Sequence, residues 1–275
     1  MGIDLYTNRM VRKEVGAVPC ILYEVESSIA HITINREEAL NTINLKMVKR
    51  LQDVINDIAV NPQVGVVIIS GAGQRAFSAG GDLHDPAFSE SSEMVETLKK
   101  LNDLLDSIDN LPQPTIAAIN GYAFGAGFEL ALACDFRIAV DQTLMGLPQT
   151  NIGLIPGAGG TQRLPRLIGE TKALELILTG KRVTSLDAYQ YGFITKVVSN
   201  QTLEEEAVNM AKIMLRNGPL ALQQAKFAIK NGLKTDIQQG KKIEELCFAK
   251  TAASEDFLIG LHAFFEKKPA EFHGK

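Results

Sequence analysis

Cysteine is scarce in this 275-residue sequence, and the few present are poorly placed for pairing. Cys20, Cys134 and Cys247 are odd in number, far apart, and none belongs to a Cys-x-x-Cys pair. The pattern gives no disulfide framework, and three reduced thiols are expected. Histidine is equally sparse. His31, His84, His262 and His273 never stand at ligand spacing, so no metal site is expected. Positive charge does not cluster, and the formal net charge is −4. Without a basic tract to neutralise phosphates, nucleic-acid binding is not expected. No apolar run approaches the roughly 18 residues of a membrane helix, so no membrane association is expected either. The first residues lack a basic stretch followed by an apolar core, and Tyr6 stands where a myristoylation signal wants Ser or Thr. A cytoplasmic protein is the expectation. What is present, 45% hydrophobic and 22% charged residues, describes a globular chain able to bury a sizeable core.

Residues 1–18 read as a loosely specified extension. Two β-rich runs follow, Ile21–Val25 and Ile29–Ile34, joined by Glu26-Ser27-Ser28. Met47, Leu51, Val54, Ile55 and Ile58 have helical spacing, and Asn61-Pro62 ends that helix. Val64–Ile69 is a nearly continuous β-branched run, as expected of a strand buried on both faces. A glycine-rich loop comes next (71–81), then a polar, Ser-rich segment (86–93) that reads as a mobile loop. The cycle repeats with a helix over 95–108, a strand over 115–120, a second glycine-rich loop (121–127), a helix over 128–133 and a strand over 136–140. An α/β protein with its function in the loops at strand ends is predicted. From Leu203 onwards the pattern is helical: 203–215, 219–231, 237–252 and 256–265. The sequence therefore divides into a core over 1–200 and a helical region over 201–275.

Three loops could carry chemistry. Phe77-Ser78-Ala79-Gly80-Gly81-Asp82 follows a buried strand, and its small residues allow backbone N–H groups to approach a ligand. Asn120 to Leu130 is a second such loop, with a carboxylate, Glu129, one turn into its helix. A first-turn acid also suits a helix dipole, so Glu129 has a structural reading as well. Ile155 to Leu164 is a third glycine-dense turn, but it matches neither a Walker A loop nor a dinucleotide fingerprint. Two donor-rich loops and one carboxylate suit a thioester or ester oxygen held by paired N–H groups.

Taken together, several segments resemble the crotonase, or enoyl-CoA hydratase/isomerase, superfamily. They are Asn35-Arg36 with Ala39-Leu40-Asn41, Phe77 to Asp82, Gly121 to Leu130 with Ala133-Cys134-Asp135, Gly153 to Leu164, Leu178-Thr179-Gly180, Ala188 to Val197, and the tail from Ser254 to Pro269. The resemblance implies a crotonase-type spiral of ββα units and a helical C-terminal region that builds homotrimers or homohexamers. It implies an acyl-CoA substrate, fatty-acid-type metabolism, and no cofactor beyond the coenzyme A carried by the substrate. It places oxyanion-hole N–H groups at Ala79 and Ala126, and lays Ala39, Leu40, Ala79, Gly80, Gly81, Asp82 and Ala126 along the thioester.

The hydratases of this superfamily use two carboxylates 20 positions apart. Glu129 matches the first, while the second falls on Gln149. A Gln amide can orient water but cannot exchange a proton at neutral pH. The implied function is an enoyl-CoA hydratase-like lyase in which Glu129 handles the proton and Gln149 holds the water. Three alternatives stay open: another enolate reaction (isomerisation, decarboxylation or thioester hydrolysis), a non-catalytic acyl-CoA binder, and a hydratase silenced by an introduced Gln149. His84, with Asp85 beside it, and Asp141 are lesser candidates as substitute acids. Lys267-Lys268 reads more readily as a solvated helix end than as a phosphate contact.

Overall fold

The computed structural model describes residues 19–86 and 91–275. The extension expected over 1–18 lies outside the described residues. Strands β1 (Ile21–Glu26) and β2 (Ile29–Ile34) form an antiparallel hairpin. Helix α1 (Leu45–Val60) is capped by the Asn44 side chain, which accepts the Met47 N–H, and it buries Met47, Val48, Leu51, Val54, Ile55 and Ile58.

Strands β3 (Val66–Gly71), β5 (Thr115–Ile119) and β7 (Phe136–Val140) then lie parallel in a six-stranded sheet, completed by β10 (Lys196–Val198), of order β1-β2-β3-β5-β7-β10. After each of these three strands the chain turns and adds a short strand to a second sheet. Those strands are β4 (Ala76–Ser78), β6 (Tyr122–Phe124) and β8 (Leu144–Gly146), and β9 (Val183–Thr184) closes that sheet beside β8. Helix α2 (Ser91–Asp109) returns from β4 to β5, and α3 (Ala126–Ala133) returns from β6 to β7. Strand, strand, helix, repeated, is the ββα spiral that the resemblance implied.

The β-branched run of β3 is buried on both faces, as its composition predicted. Val67 and Ile69 point into the larger core, while Val66 and Ile68 face α7 (Leu203–Leu215). The loop expected over 86–93 does not extend to its last residues. Residues 87–90 lie outside the described residues, but α2 already begins at Ser91, with Glu93 in its first turn where the helix dipole favours an acid.

Beyond β8 the chain forms α4 (Gly160–Ile168), α5 (Glu170–Thr179), α6 (Ser185–Gln190) and β10 (Lys196–Val198). The first helix past residue 200, α7, packs on the sheet through Leu203, Ala207 and Ala211. Helices α8 (Pro219–Gly232), α9 (Ile237–Ala252) and α10 (Glu255–Glu266) follow. Asp135, just after α3, ties α8 to the core by ion pairs to Lys226 at 2.6 Å and Lys230 at 2.7 Å. Lys230 also pairs with Asp109 at the end of α2. Burial works against the Asp135 carboxylate, but the two ammonium groups outweigh it and hold its pKa below the ordinary value. The three cysteines are unpaired, and burial pushes the Cys134 thiol up to about 12. Among the described residues, no helix is long and apolar enough to cross a membrane.

Candidate active site

Helix α3 is apolar on every side and all eight of its residues are buried, so its one carboxylate, Glu129, is buried too, at 2% exposure. A buried carboxylate needs donors. Oε1 of Glu129 accepts the N–H groups of Ala158 and Gly160, each at 2.8 Å. Gly160 opens α4, whose first N–H groups have no partner within the helix. Oε2 accepts the Gln149 side-chain amide at 3.2 Å. Burial raises the Glu129 pKa above its ordinary 4.5, while the two backbone N–H bonds and the Arg163 charge work the other way.

Glu129 and Gln149, paired by the hydratase resemblance, are therefore in direct contact. With its nitrogen turned to Glu129, the oxygen of Gln149 is buried and has no hydrogen-bond partner among the described residues. Gln149 stands in a short 3₁₀ turn, Pro148–Ile152, just after β8. The third glycine-dense loop fails the nucleotide motifs and belongs to the segments that carry the family resemblance, with no role in holding Glu129 expected of it. It proves to supply both N–H donors to Glu129. Its signal in the sequence was a run of small residues entering a helix.

The two donor loops face one another. A Cβ placed on Gly80 would sit 3.0 Å from the Phe124 oxygen and 3.7 Å from the Ala126 nitrogen. A Cβ on Gly127 would collide with Ser78, so the start of α3 lies directly against the end of β4. Ala126 is the first residue of α3, and its N–H has no intrahelical acceptor.

The expectation for Ala79 needs correcting. Its N–H donates inward to the Leu40 carbonyl at 3.0 Å. The next residues form a parallel bridge to Ile43, with Ile43 N–H donating to the Gly80 carbonyl at 2.8 Å and Asp82 N–H to the Ile43 carbonyl at 2.9 Å. Backbone groups alternate along a strand, so the Gly81 N–H between them faces away from Ile43. It has no partner among the described residues. The free donor of this loop is Gly81, two positions beyond the one expected.

Ala39 and Leu40 lie beside this loop, at the end of the 3₁₀ turn Glu37–Ala39, and Leu40 and Asn41 both take left-handed φ values. Asp82 is committed to a salt bridge with Arg36 at 2.9 Å, which pins the 36–43 segment along the loop. His84 and Asp141 are exposed, and neither is among the partners of Glu129. Asp85 instead accepts the Leu45 N–H at the start of α1. Lys268 pairs with Glu266 at 3.1 Å, in keeping with a helix end. Tyr122 and Phe124 stack on each other at 5.8 Å, with Arg182 over the Phe124 ring.

One buried carboxyl, one neutral amide and the backbone N–H groups of Gly81 and Ala126 are thus brought close together where the 79–82 loop, the start of α3 and the 148–152 turn meet. The enoyl-CoA hydratase/isomerase family profile matches residues 24–275. The Bacillus subtilis enoyl-CoA hydratase/isomerase-family protein YngF is 44% identical over 255 residues, covering 92% of this chain and 98% of that one. Mouse mitochondrial methylglutaconyl-CoA hydratase is 39% identical over 258 residues, covering 92% and 82%. The crystal structure of an enoyl-CoA hydratase from Bacillus anthracis superposes with a TM-score of 0.92 at 40% identity, covering 94% of this chain and 100% of that one. The chain belongs to the enoyl-CoA hydratase/isomerase family.

Proposed function

We propose that the protein is a lyase that hydrates a 2-enoyl-CoA thioester with Glu129 as its one proton-transfer group. The observation that supports this best is the pairing of Glu129 Oε2 with Gln149, whose own oxygen is buried and without a partner among the described residues. The attacking water would enter between the Gln149 amide and the carboxylate, replacing their direct contact. The thioester carbonyl lies against the Gly81 and Ala126 N–H groups, with the CoA moiety along 39–41 and 79–82. The water oxygen bonds to the β-carbon and its proton passes to Glu129. The electron pair of the double bond moves to the thioester oxygen as an enolate, stabilised there by the two N–H groups. Glu129 then returns the proton to the α-carbon. Raising the pKa of Glu129 by burial suits a group that must both take and give a proton near neutral pH.

A second reading has its own support. Gln149 cannot ionise, and moving a double bond between the 3- and 2-positions needs only one base and no water. The deciding assay offers crotonyl-CoA and a 3-enoyl-CoA separately and follows the conjugated-thioester absorbance. Hydration predicts loss of absorbance from the first, and isomerisation predicts a gain from the second. In the hydratase, Gln149→Glu raises the rate by adding a second acid. Absence of turnover on both substrates, in wild type and in Gln149→Glu, overturns both readings.

We further propose a homotrimeric or homohexameric assembly through α8–α10, where Leu246, Phe248, Phe264 and Phe265 are each more than 70% exposed. Light scattering checks this against multiples of the 29.9-kDa chain.

A further inference from the structure

Glu129 owes its orientation to one turn, and that turn is itself held from the side. The Gly157 carbonyl accepts the side-chain amide of Asn102, on α2, at 2.8 Å. The Ala158 carbonyl accepts Nη1 of Arg163 at 3.2 Å. Arg163 lies one turn into α4, and its guanidinium sits directly on Gly159, whose φ is +91°. A side chain at 159 would meet both a strained backbone and the guanidinium. The far side of the guanidinium is anchored on α2 as well, by Asp106 at 2.6 Å and Asp109 at 3.8 Å. Asp109 in turn pairs with Lys230 of α8. Arg163 is thus a planar fork with one edge on the donor turn and the other on α2, a geometry that Lys cannot reproduce.

We propose that Arg163 is a positioning residue for Glu129: it clamps the 157–160 turn to α2 and so fixes the two N–H groups that orient the carboxyl. The inference rests on Glu129 being the proton-transfer group, but its geometry does not depend on which acyl-CoA reaction follows. The clamp carries a second consequence. Arg163 is the charged group acting on Glu129, with Asp106 and Asp109 facing it from α2 and Lys230 behind them. Loosening it both frees the carboxyl and removes a positive charge that favours the ionised form.

The test uses the full-length protein and two readouts. The first is an infrared titration of the Glu129 carboxyl, identified by its disappearance in Glu129→Gln. Arg163→Gln is expected to move that titration upward by about one pH unit. The second is the pH profile of kcat/KM on whichever substrate is turned over. Its acidic limb is expected to move upward by the same amount, with kcat falling by about tenfold to a hundredfold and KM changing little. Arg163→Lys keeps the charge and loses the fork, so its titration returns towards wild type while kcat stays low. The inference is overturned if the carboxyl titrates identically in wild type and Arg163→Gln, or if the loss in kcat merely tracks a loss of thermal stability. A shifted titration in a protein inactive on both enoyl-CoAs would support the clamp and overturn the proposed reaction.

Discussion

Helices α3 and α10 have much in common as sequences. Both are short, rich in apolar residues, and carry acid in the first turn. In the fold they are opposites. All eight residues of α3 are buried, whereas Asp256 alone is buried in α10. Each helix therefore sinks one carboxylate, and in each the backbone of a distant segment satisfies it. The two oxygens of Asp256 accept the N–H groups of His273 at 2.7 Å and Gly274 at 2.9 Å. Glu129 takes both of its backbone N–H bonds on one oxygen and offers the other to Gln149. A carboxylate with both oxygens fastened to backbone is a structural tie, while one whose second oxygen meets only a movable side-chain amide can be freed for chemistry.

The largest effect expected from this contrast is on activity. Glu129→Gln is expected to lower turnover by about 10²- to 10⁴-fold, the usual contribution of a general acid–base group, and to leave the fold intact. Its stability also separates from wild type with pH. Burial raises the Glu129 pKa, so the folded state holds the proton more tightly than the unfolded chain, and wild-type stability falls as pH rises from about 4.5 through the raised value. Glu129→Gln lacks that fall, which denaturant titrations at pH 4 and 7 would show.

Next in size is the packing of α3. Phe128 is fully buried and lies 5.5 Å from Phe193, so Phe128→Ala is expected to cost about 3–5 kcal/mol in chemical denaturation. Asp256→Asn comes third. It removes one acceptor from the tie to 273–274, and the expected loss is about 1–3 kcal/mol, with turnover unchanged. Smallest is Phe264→Ala, because this ring is 77% exposed on the single chain. Chain stability at high dilution should stay within about 0.5 kcal/mol. If the proposed assembly uses this face, the same substitution lowers the mass seen by light scattering. An Asp256→Asn variant that lost activity like Glu129→Gln would erase the distinction drawn between the two carboxylates.

Much of this was legible before the fold was seen. The β-branched run at 64–69 announced a strand buried on both faces, and helical spacing located α1 and the helices after 203. The resemblance to hydratases, which place two carboxylates 20 positions apart, singled out Glu129 and Gln149, and their side chains touch at 3.2 Å. Less could be read where the deciding partner lies far along the chain. Glycines at 79–82 showed that an N–H could be free, but whether it is Ala79 or Gly81 depends on pairing with Leu40 and Ile43. Asp135 looked like part of a motif, and its partners Lys226 and Lys230 lie some 90 residues away.

The sequence by itself determined the alternation of strands and helices, the motifs that carry the family resemblance, and the amide of Gln149 where that resemblance implies a second carboxylate. Those features depend on local spacing and residue chemistry, which a linear chain displays directly. Tertiary structure alone decided which backbone N–H group of the 79–82 loop is left free, which oxygen of Glu129 takes the backbone donors, and what holds the 157–160 turn. Each of these depends on the direction of a hydrogen bond between segments distant in sequence, and direction exists only once the chain has folded.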